Sequence, residues 1–444
     1  MKNSREVAFD VLKKVLVEDA YSNLALDNAV KENNLSRLDS AFCTALVYGV
    51  LERLITLDFI IRKLSSVPFR KIEPSTLIIL RMGLYQILYM DKVPPSAAVN
   101  ESVNLAKKKK LFKSSGFING MLRSVIRAEG SLPMPDESDK VKYLSVKHSC
   151  PEYLVKLWLT SYGEEITVSV LDALSGRPPL TIHVNTLLTD SDTLIDNLSE
   201  EGVTAKKTQI ENMLSVTNTG AVDKLRAYEL GEFFVQDTAS AVCALIANPK
   251  AGDRVYDVCS APGGKSFAMA INMENKGEVY SFDLHPHKIK LINSGAKRLG
   301  ITIINASVRD AAEDKEITKE ADVVLCDVPC SGFGILRRKP EIRYNKEADY
   351  TSLPPLQYSI LENSAKLVKL GGTLVYSTCT LNPEENNEIV DKFLSEHPNF
   401  VAKEIELPSG VLRKISEKTN MLTLFPAQSG TDGFFIATME RRSL

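Results

Sequence analysis

Two cysteines in this sequence stand where a thiol could act as a nucleophile. Cys330 closes Leu325-Cys-Asp327-Val-Pro329-Cys330, and Cys379 closes Val375-Tyr-Ser-Thr-Cys379. Each follows a short apolar run that reads as a strand, and Asp327 lies between the first run and its cysteine. Cys326 is different, because it continues the apolar run and suits core filling. The spacing of Cys326 and Cys330 has no second cysteine pair to complete it, and the five histidines are scattered. No metal site is therefore expected.

A third segment could bind a ligand. Cys259, Ser260, Ala261, Pro262, Gly263, Gly264 and Lys265 follow the strand-like run Arg254–Val258 and lead straight into a helical pattern. Proline and paired glycines make a tight turn with an approachable backbone, and a helix amino terminus offers free N–H groups to an anion. Gly264-Lys265-Ser266 matches the end of a phosphate-binding loop, but Cys259 stands where that loop needs glycine. The dinucleotide fingerprint is absent. A nucleoside with an amino-acid tail, S-adenosylmethionine, fits better. Its carboxylate would use the helix end, and its ribose would need an acid at the next strand end. Asp283 ends the run Glu278–Phe282, and Asp310 follows the next run, where an adenine amino group could be held. Either acid alone reads as a helix cap. Together, at successive strand ends, they read as a site.

A thiol beside a methyl donor suggests one particular chemistry. Carbon 5 of a pyrimidine is too weak a nucleophile to attack a methyl sulfonium directly. A thiolate adding to carbon 6 makes carbon 5 enamine-like, and an acid near ring nitrogen 3 absorbs the developing charge. A base then removes the carbon-5 proton and the thiol is eliminated. The scheme asks for one acid and at least one cysteine, which Asp327, Cys330 and Cys379 supply.

The elements that would position these residues follow from periodicity. After about residue 250, strand-like runs at Arg254–Val258, Glu278–Phe282, Thr302–Asn305, Ala321–Cys326 and Thr373–Ser377 alternate with helical segments. Those segments are Gly264–Asn272, Pro286–Leu299, Pro355–Leu370 and Pro383–Glu396. The rhythm predicts right-handed crossovers and a mostly parallel, doubly wound sheet, whose ligands sit beyond the strand carboxyl ends. Residues 4 to about 130 read as successive helices, with Ser4 and Ser36 as caps and prolines opening Pro74–Tyr89 and Pro95–Lys110. The cluster Gly130-Ser-Leu-Pro-Met-Pro135 marks a boundary. Between them, Pro151–Tyr162 and Leu194–Glu201 look helical while Leu180–Asn185 and Phe233–Val235 look extended, a small α+β pattern. The expected division is 1–132, 143–235 and 236–444.

The 444 residues, 44% hydrophobic and 25% charged, exclude a disordered or fibrous chain. No apolar run is long enough for a membrane span, and the first residues carry no secretory or transit pattern. Seven cysteines without paired spacing suit a reduced cytoplasmic protein. The net charge of −2 conceals a split: residues 1–130 hold 20 Lys and Arg against 13 Asp and Glu, and the remainder holds 34 against 43. The basic end suggests a polyanion partner. Lys107, Lys108, Lys109 and Lys110 form one basic cluster, which could equally relieve a helix dipole. Arg337, Arg338, Lys339 and Arg343 form another, expected as a phosphate clamp beside the cysteine crevice. A target base stacked in a helix would have to be unstacked to reach a thiol.

The segments Cys259–Lys265, Asp327-Val-Pro-Cys330-Ser-Gly, Ser377-Thr-Cys379 and Gly430-Thr-Asp-Gly-Phe-Phe435 closely resemble those of the bacterial Sun/Fmu-type 16S ribosomal RNA cytosine-5 methyltransferases. Phe234-Val-Gln-Asp237-Thr-Ala-Ser240 is similar to the entry of that family's catalytic domain, and the helical amino terminus resembles its NusB-like RNA-binding module. The resemblance implies three parts: an all-α NusB-like domain, a small α+β domain and a Rossmann-like methyltransferase domain. It implies S-adenosylmethionine bound by Cys259 to Lys265 with Asp283, Asp310 and Asp327. It implies Cys379 as nucleophile, Cys330 in product release, and Asp327 on the cytosine edge. DNA cytosine methyltransferases use the Pro-Cys cysteine instead, so chemistry alone leaves Cys330 open as nucleophile. Ser260, Val328 and Thr380 depart from the family pattern without removing a reactive group. The expected partner is 16S ribosomal RNA, bound by a monomer with no membrane contact. The alternatives are the same reaction on transfer RNA or another RNA, or a non-catalytic RNA-binding or antitermination factor.

Overall fold

The computed structural model describes residues 2–128, 130–176, 178–313, 319–344, 350–411 and 418–443. The chain forms two compact units: Met1–Gly176 with Leu336–Lys346, and Arg177–Ile335 with Glu347–Leu444.

The first unit is helical. Helices span Ser4–Val17, Ser22–Glu32, Arg37–Glu52, Leu54–Leu64, Pro74–Tyr89, Pro95–Lys108 and Ser115–Arg127. Their apolar stripes meet in one core that includes Val7, Leu12, Leu46, Val50, Leu57, Ile79 and Leu122. Ser36 caps its helix, accepting from the Asp39 amide. Ser4 does not cap the first; Asn3 does, in a reciprocal capping box with Glu6. Helices Lys140–His148 and Glu152–Ala173 belong to this unit, the second broken at Gly163, where φ is +77°. Thr56 donates to the Val146 carbonyl, and the Ile55 amide donates to Ser149. The Gly/Pro cluster at residues 130–135 lies between the helices Ser115–Arg127 and Lys140–His148.

The second unit contains two sheets. Strands β1 (Leu180–Val184), β2 (Thr204–Lys207), β3 (Met213–Thr217) and β4 (Phe233–Val235) form an antiparallel sheet in the order β2-β3-β1-β4. The helix Ser191–Glu200 packs its Leu194 and Leu198 into the same apolar cluster as Ile182 and Leu214. The larger sheet contains β5 (Arg254–Asp257), β6 (Glu278–Asp283), β7 (Ile304–Val308), β8 (Ala321–Asp327), β9 (Val368–Thr378), β10 (Phe400–Ala402), β11 (Met421–Leu424) and β12 (Phe434–Arg441). Its order is β10-β12-β9-β8-β5-β6-β7, with β11 also paired to β12. The run from β9 to β7 is parallel, as the strand–helix rhythm predicts. β12 is antiparallel to β9, β10 and β11. Strands β10, β11 and β12 lie outside the expected set; β10 and β11 are only three and four residues long.

Both faces of the parallel strands are covered, which is why their sequences read as near-continuous apolar runs. Val255, Val279, Leu325 and Val375 face Val242, Phe267 and Ile292 on one side. Tyr256, Val324, Cys326 and Tyr376 face Ile360, Leu361, Val390 and Phe393 on the other. Cys326 is core, as its place in the strand implies. The helix expected over Pro355–Leu370 spans Leu353–Ala365, and β9 begins at Val368, where it pairs with Ala321.

Candidate active site

The site is built at the carboxyl ends of β5, β6, β8 and β9. After β5 the chain turns through Cys259–Gly263 and enters the helix Gly264–Asn272. Ser260 fixes the turn: its amide and its hydroxyl both donate to the Phe282 carbonyl, at 2.8 and 2.9 Å. Gly263 adopts φ +109°, and a Cβ there would lie 2.5 Å from the Phe267 ring, so only glycine fits. The Ala261 amide donates to Asp283 Oδ2 at 3.3 Å, tying the β5 loop to the end of β6. Asp283 is buried; its Oδ1 accepts from the His285 amide and faces Lys288 at 3.3 Å. Carboxylate oxygens have further lone pairs, so these bonds leave capacity for a ribose diol. Asp310 accepts from the Ala312 amide in the turn after β7.

Lys265 joins the loop to the chemistry. Its ammonium donates to Asp327 Oδ2 at 2.6 Å, stands 3.5 Å from the Ser240 hydroxyl, and lies 5.1 Å from the Phe434 ring centre. Burial is the largest influence and lowers the Lys265 pKa, but the charge and hydrogen bond of Asp327, with Cys243 and Asp257, together outweigh it and the net shift is upward. Asp327 Oδ1 accepts from Ser377 at 2.8 Å, a bond that links the paired ends of β8 and β9. Asp257, beneath this pair, is fully buried and pushed up to about 7 by desolvation, against the opposing bond from Ser266. Ser281 donates in turn to Ser266.

The cysteines meet. Cys330 Sγ and Cys379 Sγ are 3.2 Å apart, and both thiols are partly exposed. Contact with Cys379 and burial together push the Cys330 thiol well above its ordinary range, which makes it a poor nucleophile near neutrality and a strong base once ionised. Backbone bonds lock the two loops together. The Gly334 amide donates to the Cys379 carbonyl, and the Gly433 amide donates to the Gly334 carbonyl. A Cβ on Gly334 would sit 2.0 Å from the Gly433 oxygen, so the Gly430–Phe435 segment and the Cys330 loop meet at bare backbone.

Four residues that sequence reasoning passed over also shape the site: Asp257, Gln357, Ser377 and Glu385. Glu385 is fully buried; it accepts from the amide and hydroxyl of Ser331, after Cys330, and the Thr380 hydroxyl, after Cys379, bonds Ser331 at 2.7 Å. It sits in Asn382-Pro-Glu-Glu-Asn386, which reads as a helix start, and no spacing signal separates it from Glu384. Ser377 is part of the quoted Ser377-Thr-Cys379 segment, and its position opposite Asp327 appears only with strand register.

The basic clusters are less simple than expected. Arg343 is buried in the helical unit, and its guanidinium donates to the carbonyls of Glu52, Ser149 and Leu174. Those carbonyls lie at the carboxyl ends of three helices, Arg37–Glu52, Lys140–His148 and Glu152–Ala173. Unpaired helix-end carbonyls and the negative ends of three dipoles attract one cation strongly. Arg343 is therefore not the phosphate-clamp residue expected from the sequence. Arg337 and Arg338 are partly buried in the same unit, and Lys339 is exposed. Lys108 pairs with Glu6 at 3.1 Å and Lys109 pairs with Asp10, while Lys107 and Lys110 are exposed. Among the described residues no group of three or more His, Cys, Asp or Glu could hold a metal ion, and no helix is long and apolar enough to cross a membrane.

Residues 244–440 match the family described as 16S rRNA methyltransferase RsmB/F. Residues 2–127 match the NusB family, and residues 150–223 match the RsmF/B-like ferredoxin-like domain. The probable ribosomal RNA small subunit methyltransferase B of Bacillus subtilis is 39% identical across 99% of this chain and 98% of its own length. Its counterpart from Synechocystis is 36% identical across 99% of this chain and 100% of its own. The ribosomal RNA small subunit methyltransferase B of Escherichia coli is 30% identical across 99% of both. The solved structure of PH0851 is 26% identical and superposes with a TM-score of 0.82 over 99% of each chain. NSun6 from Pyrococcus horikoshii, solved with SFG, shares the fold over 66% of this chain and 99% of its own, at 22% identity and a TM-score of 0.59. The chain belongs to the RsmB/F family of 16S rRNA methyltransferases.

Proposed function

We propose that this protein methylates carbon 5 of a cytosine in 16S ribosomal RNA, in the cytoplasm, through a temporary bond between Cys379 and carbon 6. The observation that carries the reading is the pair of thiols 3.2 Å apart at adjacent strand ends, in a cluster that also contains Asp327 and Lys265. S-adenosylmethionine supplies the electrophilic methyl group. The residues present suit it: the Cys259–Lys265 turn with its helix amino terminus for the amino-acid tail, Asp283 for the ribose and Asp310 for the adenine.

Cys379 Sγ, as thiolate, adds to carbon 6, and the C5–C6 π pair moves into the ring. Asp327, oriented by Lys265 and Ser377, holds the cytosine edge where charge accumulates at nitrogen 3. Carbon 5 takes the methyl with that electron pair. A base from solvent takes the carbon-5 proton, while Cys330, 3.2 Å from Cys379, assists release of the methylated product. The C–H pair then reforms the double bond, and the Cys379–carbon-6 bond breaks to return the thiolate. Lys107, Lys110 and Lys339 would contact RNA phosphates, which position without reading sequence.

The test is incubation of unmethylated 16S RNA and transfer RNA with labelled methyl donor, using wild type, Cys379→Ala and Cys330→Ala. We expect label in 16S RNA, none with Cys379→Ala, and a denaturation-resistant RNA adduct with Cys330→Ala. Label only in transfer RNA overturns the substrate, and an adduct with Cys379→Ala alone exchanges the two thiols. No label in any RNA would leave an RNA-binding factor.

A further inference from the structure

Beneath the two thiols is a buried carboxylate that the mechanism above does not use. Glu385 has no solvent exposure and accepts four hydrogen bonds. Its Oε1 receives the Ser331 hydroxyl at 2.5 Å and the Asn382 amide group at 3.1 Å, with the Thr380 hydroxyl 3.5 Å away. Its Oε2 receives the Ser331 amide at 2.8 Å and the Gln357 side chain at 2.9 Å. Gln357 Nε2 also donates to the Pro329 carbonyl at 2.9 Å, so the residues on both sides of Cys330 are held by one connected group. Ser331 and Thr380 also bond each other at 2.7 Å. The Glu385 main chain adds a further tie, since its carbonyl accepts the Tyr376 hydroxyl of β9 at 2.7 Å. Asn386 completes the frame by accepting from Thr378 and donating to the Thr380 carbonyl.

A charged group without solvent survives only when its lone pairs are filled, and four donors converging from three segments fill these. Glutamine could not replace it without conflict. Whichever way its amide turned, its NH2 would face a donor: the Ser331 amide and Gln357 on one side, Asn382 on the other. The Cys330 loop is gripped through Ser331 twice and, by way of Gln357, through Pro329, while the segment after Cys379 is held through Asn382. We propose that Glu385 is a positioning residue that holds the Cys330 thiol against the Cys379 adduct, and thereby sets the rate at which methylated RNA is released. The proposal rests on the cytosine-5 reading and names the residue that enforces its second half. The Glu385 charge is also among the influences that keep the Cys330 thiol protonated, after the larger ones of Cys379 and burial.

The test compares full-length wild type, Glu385→Gln, Gln357→Met and Cys330→Ala on unmethylated 16S RNA, reading turnover, KM for RNA, S-adenosylmethionine affinity and adduct on a denaturing gel. For Glu385→Gln we expect kcat down by about thirtyfold or more, KM and donor affinity within about twofold, and an adduct band approaching that of Cys330→Ala. Gln357→Met, which loses only the amide bridge, should give the same pattern at about three- to tenfold, and it decides the matter if Glu385→Gln fails to fold. The proposal is overturned by turnover within about threefold of wild type, by loss of turnover with no adduct, or by donor affinity falling in step with kcat. If Cys330→Ala forms no adduct although wild type methylates, the cytosine-5 reading fails by itself, and an unchanged kcat in Glu385→Gln would be needed to dismiss Glu385.

Discussion

Asp257 offers a quantitative test of how the donor loop is supported. Its carboxyl is buried at the end of β5, with Oδ2 accepting from Ser266 at 2.7 Å. Burial raises it from 3.8 to about 7. The folded protein therefore binds this proton more tightly than the unfolded chain does. The associated stability is fully present below about pH 4 and is lost as pH rises through about 7. At about 1.36 kcal/mol per pH unit the whole effect is on the order of 4 kcal/mol, of which about 2–3 kcal/mol disappears between pH 5 and pH 8. Asp257→Asn keeps an acceptor for Ser266 and cannot ionise. The stability of the variant relative to wild type should thus rise by about 2–3 kcal/mol over that interval. The only tryptophan, Trp158, lies in the helical unit and does not report on this sheet. Amide hydrogen exchange of peptides covering β5 and β6, with wild type and variant compared at each pH, reads it directly. A difference that stays flat within about 0.5 kcal/mol from pH 5 to pH 8 would refute the assignment of a buried, proton-binding Asp257.

Two further substitutions separate binding from architecture. Arg343→Met removes the donors to three helix-end carbonyls and should cost the helical unit about 2–3 kcal/mol, read by Trp158 fluorescence in urea. Wild-type melting with weakened RNA binding would return Arg343 to the phosphate contacts. Asp283→Ala should weaken S-adenosylmethionine binding by about tenfold or more in calorimetry, while unchanged affinity would remove it from the ribose.

Much of the parallel half of the fold was legible because its central strands are short apolar runs and two of its helices open at glycine or proline, Gly264 and Pro286. The carboxyl-end rule then placed Asp327, Cys330 and Cys379 together, and β8 and β9 are indeed neighbours with Asp327 opposite Ser377. What was not legible depends on register or on partners distant in sequence. β12 carries an apolar run without a following helix, so nothing in its periodicity announces an antiparallel strand beside β9. Arg343 looks like a surface cation in a basic run. Its three carbonyl partners lie from 169 to 291 residues away in sequence, and no local pattern encodes them. Glu385 has the opposite difficulty: all its side-chain partners are polar, and a glutamate near a helix start is unremarkable until its burial is known.

The chain does not visit its two units one after the other. It leaves the catalytic sheet after the Cys330 loop, contributes Leu336–Lys346 to the helical unit, and returns. A cut at residue 176 would therefore not yield two self-sufficient pieces. The amino-terminal fragment would lack the guanidinium that gathers its three helix ends, and the carboxyl-terminal fragment would carry that arginine on an arm with nowhere to bury it. Dissection by truncation would blur the two activities it set out to separate, so point substitutions in the whole chain are the cleaner instrument.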